Sequence, residues 1–81
     1  MSVQMEQNVT SFEIAEIAEA RLSASSHRAL RNVFCKYEDG ALVLRGRLNS
    51  FFHAQLAQET VRKVEGVERV VNQIEIVSRA I

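Results

Sequence analysis

The sequence predicts an α+β domain in the order α-β-β-α-β, with two helices packed on one face of a three-stranded mixed sheet. Three observations carry this reading: two segments whose apolar residues recur at helical spacing, three whose apolar residues alternate, and an Asp-Gly pair between the first two alternating segments. The 81 residues suffice for one core but not for a cleft between lobes. At 47% hydrophobic and 25% charged residues, the composition is that of an ordinary globular domain. The expected division is a flexible N-terminal arm, residues 1–10, followed by a single domain, residues 11–81.

The first helix is expected from Ser11 to Ala24. Thr10 and Glu13 form a capping box, and Ile14, Ile17, Ala18 and Leu22 then recur at helical spacing, with Phe12 and Ala15 beside them. Glu13, Glu16 and Glu19 mark its solvated face. After the turn-rich "SASSH" (Ser23 to His27), "ALRNVFCKYE" alternates as a strand. Val33, Cys35 and Tyr37 are its core-facing set, which buries Cys35, while Phe34 and Lys36 face away. Asp39-Gly40 supplies a tight hairpin, because glycine takes positive φ without steric penalty.

The second strand turns Leu42, Leu44, Gly46 and Leu48 inward and Val43, Arg45 and Arg47 outward. Gly46 is the position where a missing side chain lets a helix approach. Asn49 or Ser50 caps a second helix from about Phe51 to Glu65, with His53, Leu56, Ala57, Thr60, Val61 and Val64 inward and Gly66 as its C-terminal cap. Finally Val70, Asn72, Ile74 and Ile76 alternate with Val71, Gln73, Glu75 and Val77. Placed beside the second strand, this third strand makes the preferred mixed sheet; beside the first, it would make the sheet antiparallel.

Composition removes several functions. Ten basic and ten acidic residues cancel, so nucleic acid is not an expected partner and any anion binding needs a local patch. No apolar stretch approaches the ~20 residues of a transmembrane helix. The opening residues show no basic start followed by a long apolar run, so they do not read as a secretory leader, and the chain is expected to stay in the cytoplasm. The single Cys35 has no partner for an internal disulfide.

"YEDGALVLRGRLNS" (Tyr37 to Ser50) invites a phosphate-loop reading, but a P-loop has four residues between its glycines and then Lys with Ser or Thr. Here five residues intervene and Arg47-Leu48 follow. Gly40, Gly46 and Gly66 are therefore read as structural. Cys35 and His53 are the one nucleophile pair available, and neither exposure nor an orienting carboxylate supports them. His27 and His53 alone cannot supply a zinc site, so no metal or cofactor is expected.

The sheet face away from the helices is the more useful feature. By parity it carries Phe34, Lys36, Val43, Arg45 and Arg47, with Val71, Gln73 and Glu75 beside them, and reads as a basic surface with apolar inserts. Phe51 and Phe52 are adjacent and cannot share one narrow stripe. Packing of both against the first helix is the expected arrangement, with exposure of one near the sheet end as the alternative.

From Val33 onward the pattern resembles the BON domain, a bacterial module named for osmotically inducible and nodulation proteins. The residues that carry the likeness are Asp39-Gly40, then Leu42, Leu44, Gly46 and Leu48, Ala57 with Val61, and Gly66-Val67 before Val70-Val71-Asn72. It covers about residues 12 to 77. The resemblance implies an α-β-β-α-β module without catalytic residues, attached to phospholipid surfaces or envelope partners, and periplasmic residence. The expected function is accordingly a non-enzymatic binding module for a protein partner or an anionic phospholipid surface. A homodimer joined through the open sheet face or an unpaired strand edge is the alternative, and a thiol-dependent enzyme using Cys35 is the third reading.

Overall fold

The computed structural model describes residues 10–77. The expected arm, apart from Thr10, lies outside those residues, as do residues 78–81. The elements are α1 (Ser11–Ser23), a 3-10 turn (Arg28–Asn32), β1 (Val33–Glu38), β2 (Ala41–Leu48), α2 (Phe51–Arg62) and β3 (Arg69–Ile76). The strands lie in the order β1-β2-β3, with β1 antiparallel and β3 parallel to β2. This is the mixed sheet expected, with β3 beside β2.

Local chemistry fixes the ends of α1. The Thr10 side chain accepts from the Glu13 N–H at 3.1 Å, and the Thr10 N–H donates to Glu13 Oε1 at 3.0 Å, closing the capping box. Ile14, Ala18 and Leu22, spaced four apart, enter the core. Ile17 and Phe12 do not; they are 42% and 70% exposed, so the buried stripe is narrower than the sequence suggests.

β1 begins later than expected. Ala29 to Asn32 belong to the 3-10 turn, in which the Leu30 N–H donates to His27 O and the Val33 N–H to Leu30 O. That turn buries Leu30 completely, a burial that an exposed strand extension would forgo. The hairpin after β1 has positive φ at both central residues, Asp39 (49°) and Gly40 (80°), the conformation that matches the twist of the paired strands. Glu38 therefore lies opposite Ala41, and Cys35 opposite Leu44. The Gly40 carbonyl also accepts the N–H groups of Glu68 and Arg69, so one turn closes the hairpin and starts β3.

Ser50 caps α2 by accepting the His53 N–H at 3.3 Å. The buried stripe is Ala54, Ala57 and Val61 rather than one centred on His53, which is half-buried. The helix stops at Arg62, three residues short of expectation, and Gly66 is not its cap. The Val64 N–H donates to Val61 O and the Val67 N–H to Val64 O, so three-residue turns replace the helical ladder and drop Val64 into the core. Gly66, at φ 98°, ends the second turn; its carbonyl accepts the Tyr37 hydroxyl at 2.7 Å. Leu22, Leu30, Leu42, Leu44 and Val61 are the largest fully buried side chains, and they fill the layer between helices and sheet.

Candidate docking surface

The expected outward parity places Phe34, Lys36, Val43, Arg45 and Arg47 on one uncovered sheet face. The strand register arranges them in rows: Phe34 beside Arg45 beside Gln73, and Lys36 beside Val43 beside Val71. Phe34 is 63% exposed. The cations, however, are engaged. Arg45 Nε donates to Gln73 Oε1 at 3.2 Å, Arg47 Nε to Glu75 Oε1 at 3.3 Å, and Lys36 Nζ lies 3.3 Å from Glu38. The face is thus less basic than expected, because Glu75 of β3 and Glu38 at the end of β1 pair with Arg47 and Lys36. Each pair is exposed and contributes ~0–1 kcal/mol, so a competing anion can displace it.

Phe51 and Phe52 depart further from expectation. Neither enters the core; they are 67% and 61% exposed. Ala54 and Ala57 fill the inward positions of α2, which leaves the first two helical residues over its rim. Phe52 stacks with its edge on His27 (5.9 Å between centroids) and beside His53 (5.5 Å), and the two histidine rings meet at 5.5 Å. His53 Nδ1 is buried without a hydrogen-bond partner. Phe51 lines a groove with Ile74 and Ile76.

Topology joins these features at one end of the molecule. There β2 and β3 finish, with Leu48 opposite Ile76, and β1 and α2 begin. Phe34, Phe51, Phe52, Ile76 and Val77 are exposed around this end. Arg28 and Arg31 of the 3-10 turn, together with Arg45 and Arg47, supply its charge, and all four are exposed. Arg47 and Val77 share a second groove with Ala29, Asn32 and Asn49. Glu75 is the acidic counterpart at this end. Glu38, Asp39 and Glu68 gather at the opposite end, around the hairpin, where Glu68 lies against Gly40.

Arg28 and Arg31 are the residues that a strand-by-strand reading misses. A signal for them exists: residues 20–37 and 40–58 contain no Asp or Glu, and both stretches run through this end. The chain is neutral overall, yet Arg28, Arg31, Arg45 and Arg47 gather at this end with Glu75 as their acidic neighbour.

Cys35 is half-buried rather than buried. Its N–H donates to Glu19 Oε2 at 2.7 Å, which takes Glu19 off the solvated face expected for it and caps the outer edge of β1. Burial, and secondarily the nearby Glu19 charge, push the thiol from its ordinary 9.0 up to about 12, the opposite of nucleophile activation. Cys35 and His53 are not hydrogen-bonded; the histidine faces His27 and Phe52 instead. Among the described residues no group of three or more His, Cys, Asp or Glu is placed to hold a metal ion, and no helix is long and apolar enough to cross a membrane.

The fold order, the hairpin and the glycine positions can be set beside known families. The model of the BON domain matches residues 10–78. The chain belongs to the BON domain family. Among curated proteins no relative matches it. The BON match spans nearly the whole chain, as expected for a single copy, and BON domains are non-catalytic modules that bind lipids or proteins. In this BON domain the motif asparagine has a visible structural task. Asn72 Nδ2 donates to Ala54 O at 3.2 Å and to Gln58 Oε1 at 3.1 Å, tying β3 to α2, while its Oδ1 accepts the Ile74 N–H at 3.0 Å.

Proposed function

We propose that this BON domain is a non-enzymatic attachment module that seats its basic, aromatic end on an anionic phospholipid surface. The observation that supports the reading is the gathering of Phe34, Phe51, Phe52, Ile76 and Val77 with Arg28, Arg31, Arg45 and Arg47 at one end of the sheet. Guanidinium groups pair with phosphate in forked geometry, and aromatic rings suit shallow insertion at headgroup depth. Each arginine near an anionic surface contributes ~1 kcal/mol, so four of them supply ~4 kcal/mol, a weak attraction to which insertion of the aromatic rings adds.

Flotation with anionic and with neutral vesicles tests this. The expected result is binding to the anionic vesicles alone. Arg45→Glu with Arg47→Glu changes four units of charge, about 4 kcal/mol at ~1 kcal/mol each, and reduces partitioning by nearly a thousandfold. Absence of binding to either vesicle removes the reading. A protein partner at the open face is the second reading, favoured by the alternating charges of the Lys36–Glu38 and Arg47–Glu75 pairs, which suit a surface of mixed sign better than a lipid layer.

A further inference from the structure

Both outer strands of the sheet present an edge, but the two edges differ. On β1 the Cys35 N–H is covered by the Glu19 carboxylate, reached from a separate helix. On β3 the cover is local: the Ile74 N–H donates to the strand's own Asn72 side chain. The main-chain orientation of β3 follows from its bonds. The N–H groups of Arg69 and Val77 point toward the hairpin and β2, donating to Gly40 O and Leu48 O. Odd-numbered residues therefore turn their main chain toward β2, and Val70, Asn72, Ile74 and Ile76 turn theirs outward.

An outward row of this kind accepts another strand. The sequence of β3, "RVVNQIEI", is complementary to itself when reversed about Asn72. In that antiparallel register Arg69 faces Glu75 of a second copy, Val70 faces Ile74, Val71 faces Gln73, and Asn72 faces Asn72. Parity is consistent throughout. The charged pairs fall on the open face and the aliphatic pairs on the helix side, and the residues with outward main chain meet as hydrogen-bonded pairs. Shifting the centre to Val71 sets Arg69 against Gln73, and shifting it to Gln73 sets Arg69 against Val77, so charge matching selects the Asn72 register. Arg69 is exposed and has no carboxylate partner among the described residues, while Glu75 holds only an exposed pair with Arg47.

We propose that β3 is a homodimer edge: a second copy of this chain adds antiparallel about Asn72, making a continuous six-stranded sheet with all four helices on one face. The two-fold axis passes through the Asn72 pair, perpendicular to the sheet. Asn72 Oδ1 then releases the Ile74 N–H to Val70 O of the second copy, exchanging a side-chain bond for a main-chain one. The part of the edge groove lined by Ala54, Gln58, Asn72 and Ile74 flanks the seam and loses solvent on assembly, while Phe51 and Ile76 stay at its outer end.

Sedimentation equilibrium on the wild type, Arg69→Glu, Glu75→Arg and the double exchange tests the register. Each single variant sets like charges opposite twice across the two-fold and weakens the dimer roughly tenfold. The double exchange restores opposite charges and recovers the wild-type dissociation constant to within about threefold, with circular dichroism confirming the fold of all four. A wild type that stays monomeric at millimolar concentration overturns the proposal, as does a dimer insensitive to the single changes or not restored by the double one. A dimer lost in Phe34→Ser but kept in the charge variants places the contact on the open face instead. In a mixed-label sample, an intermolecular contact between the Hα protons of Val71 and Gln73 is expected, since this pair brings its Cα atoms within about 4.5 Å. Its absence in a proven dimer overturns the register.

Discussion

Replacing Gly46 with alanine perturbs the point where β2 meets the start of β1. Gly46 has φ 150°, and a Cβ built there lies 2.5 Å from the Asn32 carbonyl oxygen and 3.4 Å from the Asn32 carbonyl carbon and Val33 Cα. The nearest obstacle is backbone, so no side-chain rotation relieves it. β2 is the central strand, with Val33 beside Gly46 on one side and Ile74 on the other, and a shift of Gly46 therefore disturbs both ladders. Backbone strain of ~1–3 kcal/mol and overpacking of similar size, less ~0.4–1 kcal/mol recovered from the stiffer unfolded chain, give a net loss of about 1–6 kcal/mol, centred near ~3 kcal/mol. For a domain of this size the central value lowers the melting temperature by roughly 12–24 °C. Thermal unfolding followed by circular dichroism measures it, with Gly66→Ala as the comparison. There the close atom is Ile14 Cδ1 at 2.9 Å, the tip of a flexible side chain, so the loss is smaller despite φ 98°. A Gly46→Ala melting temperature within about 3 °C of wild type, or a larger loss for Gly66→Ala, contradicts the close packing of Gly46 on the Asn32 backbone.

Cys35 in the folded chain is expected to react with iodoacetamide at pH 8.5 hundreds of times more slowly than in the denatured chain, since burial holds the thiol protonated; equal rates would contradict its placement and reopen the enzymatic reading. The same shift makes stability fall with alkaline pH. The unfolded thiol loses its proton near 9.0 and the folded one near about 12, so the contribution is intact below pH 9 and is lost as pH rises toward 12; Cys35→Ala should flatten that part of the stability profile. Asn72→Ala removes the bonds to Ala54 O, Gln58 and the Ile74 N–H and is expected to lower stability by about 1–2 kcal/mol in urea unfolding, an unchanged midpoint counting against the tie between β3 and α2.

Much of this fold is legible because its signals are local. Thr10 and Glu13 lie three residues apart and cap the same turn, Asp39-Gly40 dictates both the turn and the Cys35–Leu44 register, and the alternation in β2 separates its leucines from its arginines. The misreadings involve residues whose partners are remote in sequence. Glu19 looks solvated until β1 offers it the Cys35 N–H, 16 residues away. Leu30 belongs to a 3-10 turn because the core needs it, although its neighbours fit a strand. Phe51 and Phe52 have the composition of core residues, yet the alanines of α2 are what allow the helix to lie close to the sheet, and the aromatics stay outside.

The candidate docking surface is legible only in part for a related reason. Parity identifies Phe34, Lys36, Val43, Arg45 and Arg47 as one face, but parity says nothing about the ends of the sheet. Arg28, Arg31, Phe51 and Phe52 join Arg45 and Arg47 because three chain segments converge there, and the zero net charge conceals that gathering. The acid-free runs of residues 20–37 and 40–58 are the linear trace of that convergence.

The proposed attachment requires that this end, rather than α1 or the hairpin, meets an anionic lipid surface. Phe12 on α1, 70% exposed, is the natural rival contact. The most direct measurement is residue-resolved NMR of the protein with anionic bicelles carrying a paramagnetic lipid. The expected result is broadening confined to residues 27–34, 45–53 and 75–77, with Phe12 and the Asp39-Gly40 turn unaffected. Broadening centred on Phe12 and Ile17, or at the hairpin, would contradict it.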